Sequence, residues 1–195
     1  CCAFFIAATS NIGMNLMVDS FRGATLNWLD TRLAADYYLY YQGEQDLTDI
    51  AKQQGIVLSK RFENYIDYQG LTIQQYSYPN TETFKNAMVY YQVQDKEQAW
   101  QAFTASQGIF VNQQFAFHFN AALGDSITLP DPSTEIMTAY KIVGIVYDFG
   151  SPSKQVLLPI QAFDPARSAS SVYALEGSEE QVQAFKKQLA KLNID

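Results

Sequence analysis

Beyond its first two residues the chain contains no cysteine. Cys1 and Cys2 are adjacent and no third thiol follows, so no disulfide framework forms within the chain. Histidine is nearly as scarce, with His118 the single example. One imidazole cannot make the usual zinc set, and neither H-E-x-x-H nor C-x-x-C occurs. A Ser-His-Asp arrangement would have to run through His118, which sits in the aromatic run Phe115-Ala116-Phe117-His118-Phe119 and fits a partly buried structural histidine. The glycine-rich loops G-x-x-x-x-G-K-[ST] and G-x-G-x-x-G are missing, so no nucleotide is held by those devices. Basic residues are few: 13 Lys and Arg against 20 Asp and Glu leave a net charge of -7 with no basic cluster. A nucleic-acid backbone needs a Lys/Arg stripe, so nucleic acid is not an expected partner.

The carboxylates are scattered. Asp131 to Glu135 lacks the D-x-D-x-D-G spacing of a calcium loop, and capping with solvation accounts for Asp46 and Asp49. No catalytic, cofactor-binding or metal-ligating residue is therefore assigned, no cofactor is expected, and the chain is not expected to be an enzyme.

What is abundant is aromatic. Tyrosine and phenylalanine number 13 each, which favours strands, while charged residues make only 17%, a low share for a free cytosolic protein. A length of 195 residues suits one domain or two small lobes, enough to bury roughly 70% of the unfolded surface. The tyrosine pairs Tyr37-Tyr38, Tyr40-Tyr41 and Tyr90-Tyr91 offer a stacking surface for sugars or apolar ligands. Adjacent strand residues point to opposite faces, so the stronger expectation is that one of each pair packs and the other meets water.

The opening stretch organises the chain. Cys1 to Val18 carries no charged side chain, and apolar residues recur at Ile12, Met14, Met17, Val18, Phe21, Leu26, Trp28, Leu29 and Leu33, mostly at helical spacing. Two readings fit: a long core helix of a soluble enzyme, or a stalk helix that leaves an apolar region, crosses a charged boundary at Asp19 and Arg22, and feeds a strand. Cys1 to Val18 is short of the roughly 20 residues of a full span. It lacks a basic n-region and a cleavage site, so it is no signal peptide. Cys1 is either a lipidated terminus or part of a hydrophobic segment. The second fits better, because the following Ala3-Phe4-Phe5-Ile6-Ala7-Ala8 is apolar where a lipoprotein usually has a polar linker. The expected division is 1–18 as the outer end of a transmembrane helix and 19–195 as an extracytoplasmic domain.

The remaining pattern predicts α+β architecture, strands and helices mixed with hairpins. Strands are expected at Tyr37 to Tyr41, Ile56 to Phe62, Leu71 to Tyr76, Val89 to Tyr91, Ile109 to Val111, Ile127 to Leu129, Met137 to Asp148, Gln155 to Ile160 and Val172 to Leu175. Asn64 to Gly70 is expected to form a separate hairpin arm. Helices are expected after the caps Asp46, Asp95, Asn112 and Ser178, with Gly55 and Gly108 as stops. In the last helix Val182, Phe185, Leu189 and Leu192 share a face, and Lys186, Lys187 and Lys191 complement its C-terminal dipole.

Four phrases then fall in order. Ser20 to Tyr38 reads S-F-R-x-x-x-x-x-W-L-D-x-R-L-A-A-D-x-Y. Gly108 to Ala116 is a strand-then-helix phrase, Leu123 to Leu129 a G-D-x-I-x-L turn, and Tyr140 to Pro152 reads Y-K-I-V-G-I-V-Y-D-F-G-S-P. Together they resemble the MacB-like periplasmic core domain of FtsX-like ABC transporter permeases across nearly the whole chain. Asn112 and Gln113 stand where that family usually has Ser-Glu, and Phe149 where it has Tyr. The resemblance implies an α+β domain with a mixed or antiparallel sheet, packed helices, βαβ-like units, two lobes in many members, and a long N-terminal stalk helix. It implies attachment to the bacterial inner membrane through N- and C-terminal transmembrane helices, with this domain in the periplasm or outside the cell. It also implies a separate cytoplasmic ATPase subunit and a periplasmic partner or lipoprotein, in a system that exports or releases a substrate. The alternative is a secreted or lipid-anchored ligand-binding protein with a tyrosine-rich surface.

Overall fold

The computed structural model describes residues 17–23, 35–41, 46–148, 152–166 and 169–192. Its first described segment, α1 (17–23), is helical and exposed along its whole length. The remainder of the stalk, including Trp28, Leu29, Arg32 and Leu33, lies outside the described residues. The Asp36 carboxylate accepts the Gly177 backbone N–H at 2.9 Å.

The elements follow as β1 (Tyr37–Tyr40), α2 (Thr48–Gln53), β2 (Val57–Tyr68), β3 (Leu71–Tyr78), α3 (Glu82–Ala87), β4 (Tyr90–Gln92), α4 (Lys96–Thr104), β5 (Gly108–Asn112), α5 (Gln113–Phe119), β6 (Ser126–Pro130), β7 (Met137–Val146), β8 (Gln155–Pro159), β9 (Ala169–Glu176) and α6 (Glu179–Lys191). The described strands form one mixed sheet in the order β1-β9-β2-β3-β8-β5-β7-β4, with β6 also paired to β7. The pairs β3–β8 and β5–β7 are parallel and the others antiparallel. The α+β expectation therefore holds, with a single sheet carrying every described strand.

Alternation along the central strands sorts the apolar residues into separate cores. On β5, Ile109 and Val111 enter one core with Phe115, Ala116, Leu129, Ile142 and Leu158, which α5 covers. Phe110 points the other way and joins Phe84, Trp100 and Phe103 from α3 and α4. All five β5 residues are buried, the mark of a central strand covered on both faces. At the β9 end a third core joins Leu47 and Ala51 to Tyr173, Leu175, Val182, Phe185 and Leu189, so α2 and α6 pack there together.

The caps behave as backbone chemistry requires. Asp95, Asn112 and Ser178 each accept a first-turn N–H, and Ser178 with Gln181 completes a reciprocal capping box. Asp46 is one place too early to be the cap. Leu47 holds that position without a side-chain bond; Asp46 accepts from Thr48 N at 2.9 Å, and bonds from the Thr48 hydroxyl and then its backbone hold the Asp46 carboxyl below the usual range.

Other expectations need correction. The two strands predicted from Ile56 to Gly70 are one 12-residue strand, because the irregularity falls in the pairing with β9, between Arg61 and Glu63, and leaves the strand unbroken. The stretch after Pro79 contains α3, which Thr81 caps. Gly108 does not stop α4; Ser106, with φ of 58°, makes the left-handed turn, and Gly108 opens β5. Asn120, with φ of 50°, ends α5 in a left-handed turn, two residues short of Ala122. Leu192 is 45% exposed and does not continue the buried face of α6.

Candidate functional site

Two of the four sequence phrases lie wholly among the described residues and a third for most of its length, and the fold interlocks them. Gly108 to Ala116 is β5 with the first turn of α5; Leu123 to Leu129 is the turn into β6; Tyr140 onward is β7. Residues 149–151 of the last phrase lie outside the described residues. β5 runs parallel to β7, with Gly108 opposite Lys141 and Phe110 opposite Gly144. The turn is stitched to β7 from both sides: Gly124 N donates to Ile142 O and Ile142 N to Asp125 O, each at 2.8 Å. The glycines are required by contact. A Cβ on Gly108 would strike the Val143 side chain, and one on Gly144 would lie 2.8 Å from the Phe110 ring. Asn112 joins this unit to β8. It is fully buried, accepts from Phe115 N and Gln155 N at 3.0 Å each, and donates to Ser153 O at 2.8 Å.

The sheet brings a polar row together on one face of its β1–β8 half. Gln155 Nε2 donates to Gln74 Oε1 at 2.8 Å, and Gln74 Nε2 donates to Glu63 Oε2 at 2.7 Å. Beside them the Arg61 guanidinium lies 4.5 Å from the Tyr76 ring centroid and 5.7 Å from that of Tyr38, within cation–π range. Tyr65, 66% exposed, stands at the end of this row. The pairs of residues that build it are up to 81 positions apart, which is why no local pattern announces it.

Each tyrosine pair divides between the two faces of its strand, but only Tyr40–Tyr41 sends one member to water; both members of the other two pairs pack on cores, contrary to expectation. Tyr37 and Tyr41 pack on the α2–α6 core, while Tyr38 packs on the core under α3 and α4 and Tyr40 is exposed. Tyr90 packs edge-on against Phe110, and Tyr91 turns to Phe117 and Tyr147. Burial, with the nearby Glu97 charge, pushes the Tyr90 phenol up to about 12, so it stays a neutral donor. Tyr90 and Tyr91 also line an open groove of about 670 Å³, with Met88, Val93, Lys96 and Leu123.

The remaining sequence candidates have local duties. His118 is exposed, contrary to the partly buried setting expected, and touches Phe119 edge-on. Asp131 is consumed by its own turn. Its Oδ1 accepts from the backbone and hydroxyls of Ser133 and Thr134, and Oδ2 accepts from Tyr140 OH at 2.8 Å. Partial burial raises its pKa, but these bonds outweigh that and hold the carboxyl at about 2. Because the folded pKa lies below the unfolded one, this stabilisation is present above about pH 4 and is lost as pH falls toward 2. Asp131→Asn is expected to cost about 1 kcal/mol at pH 7, after allowance for solvent screening, and to differ little from the parent near pH 2. Urea melts at both pH values check this. Among the described residues no three His, Cys, Asp or Glu come together as a metal site.

No family model matches this chain, and no curated relative matches it by sequence. Among solved structures, the periplasmic region of MacB from Actinobacillus actinomycetemcomitans is similar. It shares 11% identity at a TM-score of 0.46, over 80% of this chain and 82% of that one. Among the described residues no helix is long and apolar enough to cross a membrane.

Proposed function

We propose that this chain is the extracytoplasmic domain of a bacterial ABC permease subunit, and that it works by moving rather than by catalysis. The observation that carries the reading is where the domain is entered and left. β1 pairs antiparallel with β9, so Tyr37, at the start of the first described strand, lies opposite Leu175, just before the closing helix α6. A domain set between two membrane segments needs that arrangement. The ordered sequence phrases add support, since they form the interlocked β5–α5–β6–β7 unit.

In this mechanism a separate cytoplasmic ATPase drives the membrane helices, and the motion reaches the domain through the segment containing α1 and through α6. Val182, Phe185 and Leu189 fasten α6 to the same core that holds β9 and α2, so a displacement of α6 is carried into the sheet. The domain then switches between two arrangements that grip and release a substrate or a periplasmic partner such as a lipoprotein.

The test uses the full-length protein expressed with its ATPase, in a Cys1→Ser/Cys2→Ser background. Gln101→Cys and Lys187→Cys each replace an exposed residue. A membrane-impermeant maleimide is expected to label both in intact spheroplasts, and the protein is expected to stay in carbonate-washed membranes with the ATPase. Labelling only after lysis would overturn the placement. Release by carbonate would favour a secreted or lipid-anchored binding protein, a reading for which the Tyr38–Arg61–Tyr76 row speaks.

A further inference from the structure

We infer that the outer edge of β4 is a docking site for an extended acidic peptide segment, which adds as a strand to the sheet. This does not rest on the membrane placement. β4 ends the strand order, and among the described residues no strand pairs with its outer side. The register fixes which backbone groups face outward. Val89 C=O accepts from Tyr147 N at 2.9 Å, which makes those two a hydrogen-bonded pair. In an antiparallel ladder the next pair, Tyr90 opposite Val146, is then non-bonded, so the N–H and C=O of Tyr90 point away from β7. An edge strand with outward donors and acceptors is a template for another chain.

The groove along this edge fits one strand. It is open and lined by residues 88–93, Lys96 and Leu123. Six residues in extended form span about 20 Å, the length of an ordinary strand. Alternate side chains of a bound strand would meet the Tyr90 and Tyr91 sides. On the Tyr91 side stands Phe117, 63% exposed with its ring 5.6 Å from that of Tyr91.

Charge selects the occupant. The protein carries -7 overall, yet Lys96 is the one charged residue lining the groove. Its acidic neighbours in sequence have their own contacts, Asp95 capping Gln98 N at 2.9 Å and Glu97 pairing with Lys85 at 2.8 Å, and the Glu97 charge still reaches Tyr90. The Lys96 ammonium rests 5.6 Å above the Tyr90 ring, placed to meet a carboxylate. A second copy of the chain is the weaker occupant, because a three-residue edge covers far less than the roughly 800 Å² per partner of a stable interface.

The probe is a fluorescent acetylated hexapeptide, Thr-Glu-Val-Glu-Val-Thr amide, titrated into the full chain by anisotropy. Saturable binding is expected, with the Tyr90 amide gaining protection from hydrogen exchange. N-methylation of alternate peptide bonds keeps the side chains but removes donors, and is expected to weaken binding on the order of tenfold. Lys96→Glu, an exposed change, is expected to weaken it about fivefold or more. Absence of binding at millimolar peptide would overturn the proposal. So would equal binding of the N-methylated peptide, or concentration-dependent dimerisation that Lys96→Glu abolishes.

Discussion

Asn112→Ala is expected to cost about 3 kcal/mol of stability and to lower the melting midpoint by about 6–12 °C. Three backbone groups from three segments depend on this one buried amide: Phe115 N at the start of α5, Gln155 N at the start of β8, and Ser153 O before it. Alanine removes the helix cap, worth about 1 kcal/mol, and leaves the other two groups buried near a void too small to hydrate them well. Asn112→Ser separates the contributions. A hydroxyl can still cap Phe115 N but is too short to reach Ser153 O, so about half of the loss is expected to return. Urea unfolding of both variants checks this. A loss below about 1 kcal/mol for alanine would mean that water replaces the amide and the splice is not needed.

Gly144→Ala is the second large effect, at about 2–3 kcal/mol. The new methyl would lie 2.8 Å from two atoms of the Phe110 ring, and that ring has nowhere to go. Phe103 lies tilted against it at 4.8 Å, Tyr90 meets it edge-on at 5.8 Å, and Trp100 stacks at 6.4 Å. The double variant Gly144→Ala/Phe110→Leu should show the cause directly. Leucine vacates the space beside residue 144, so the two changes together are expected to cost at least about 1 kcal/mol less than their separate costs combined. Additive costs would place the strain in the backbone and not in the ring contact.

These two sites also show what the sequence could and could not disclose. The caps were readable because capping is local: Asp95, Asn112 and Ser178 each bond an N–H three residues ahead, so residue type and spacing suffice. The second duty of Asn112, to β8, depends on partners 41 and 43 positions away and has no local sign. The fit of Gly144 against Phe110 is equally remote, created only when β5 and β7 align in parallel. The single-strand nature of β2 was hidden because charged and amide residues from Lys60 to Asn64 suggest a break. The sheet accepts them because Glu63 meets Gln74 and Arg61 lies on Tyr76. Helix α3 was missed for the opposite reason. Pro79 and Asn80 are turn-forming residues just before it, and six residues are too few for periodicity to emerge. What commits it is tertiary: Phe84 is buried and its carbonyl accepts the Tyr78 hydroxyl at 2.9 Å. The polar row from Gln155 to Glu63 and the β4 groove are likewise products of topology, while the split of each tyrosine pair between faces followed from strand geometry alone.

The placement of β1 beside β9 has a mechanical consequence. Tension applied between residue 36 and residue 177 acts at the open mouth of an antiparallel pair, where the Asp36 carboxylate holds Gly177 N. The rungs Tyr37–Leu175, Tyr38–Ala174, Leu39–Tyr173 and Tyr40–Val172 are then loaded one after another, as in a zipper, and never all at once as in shear. A pull at this mouth would load β1 first, and the β9–β2 ladder behind it only after those rungs. Residues 36 and 177 are therefore where the sheet would first register movement of the segment that leads into it.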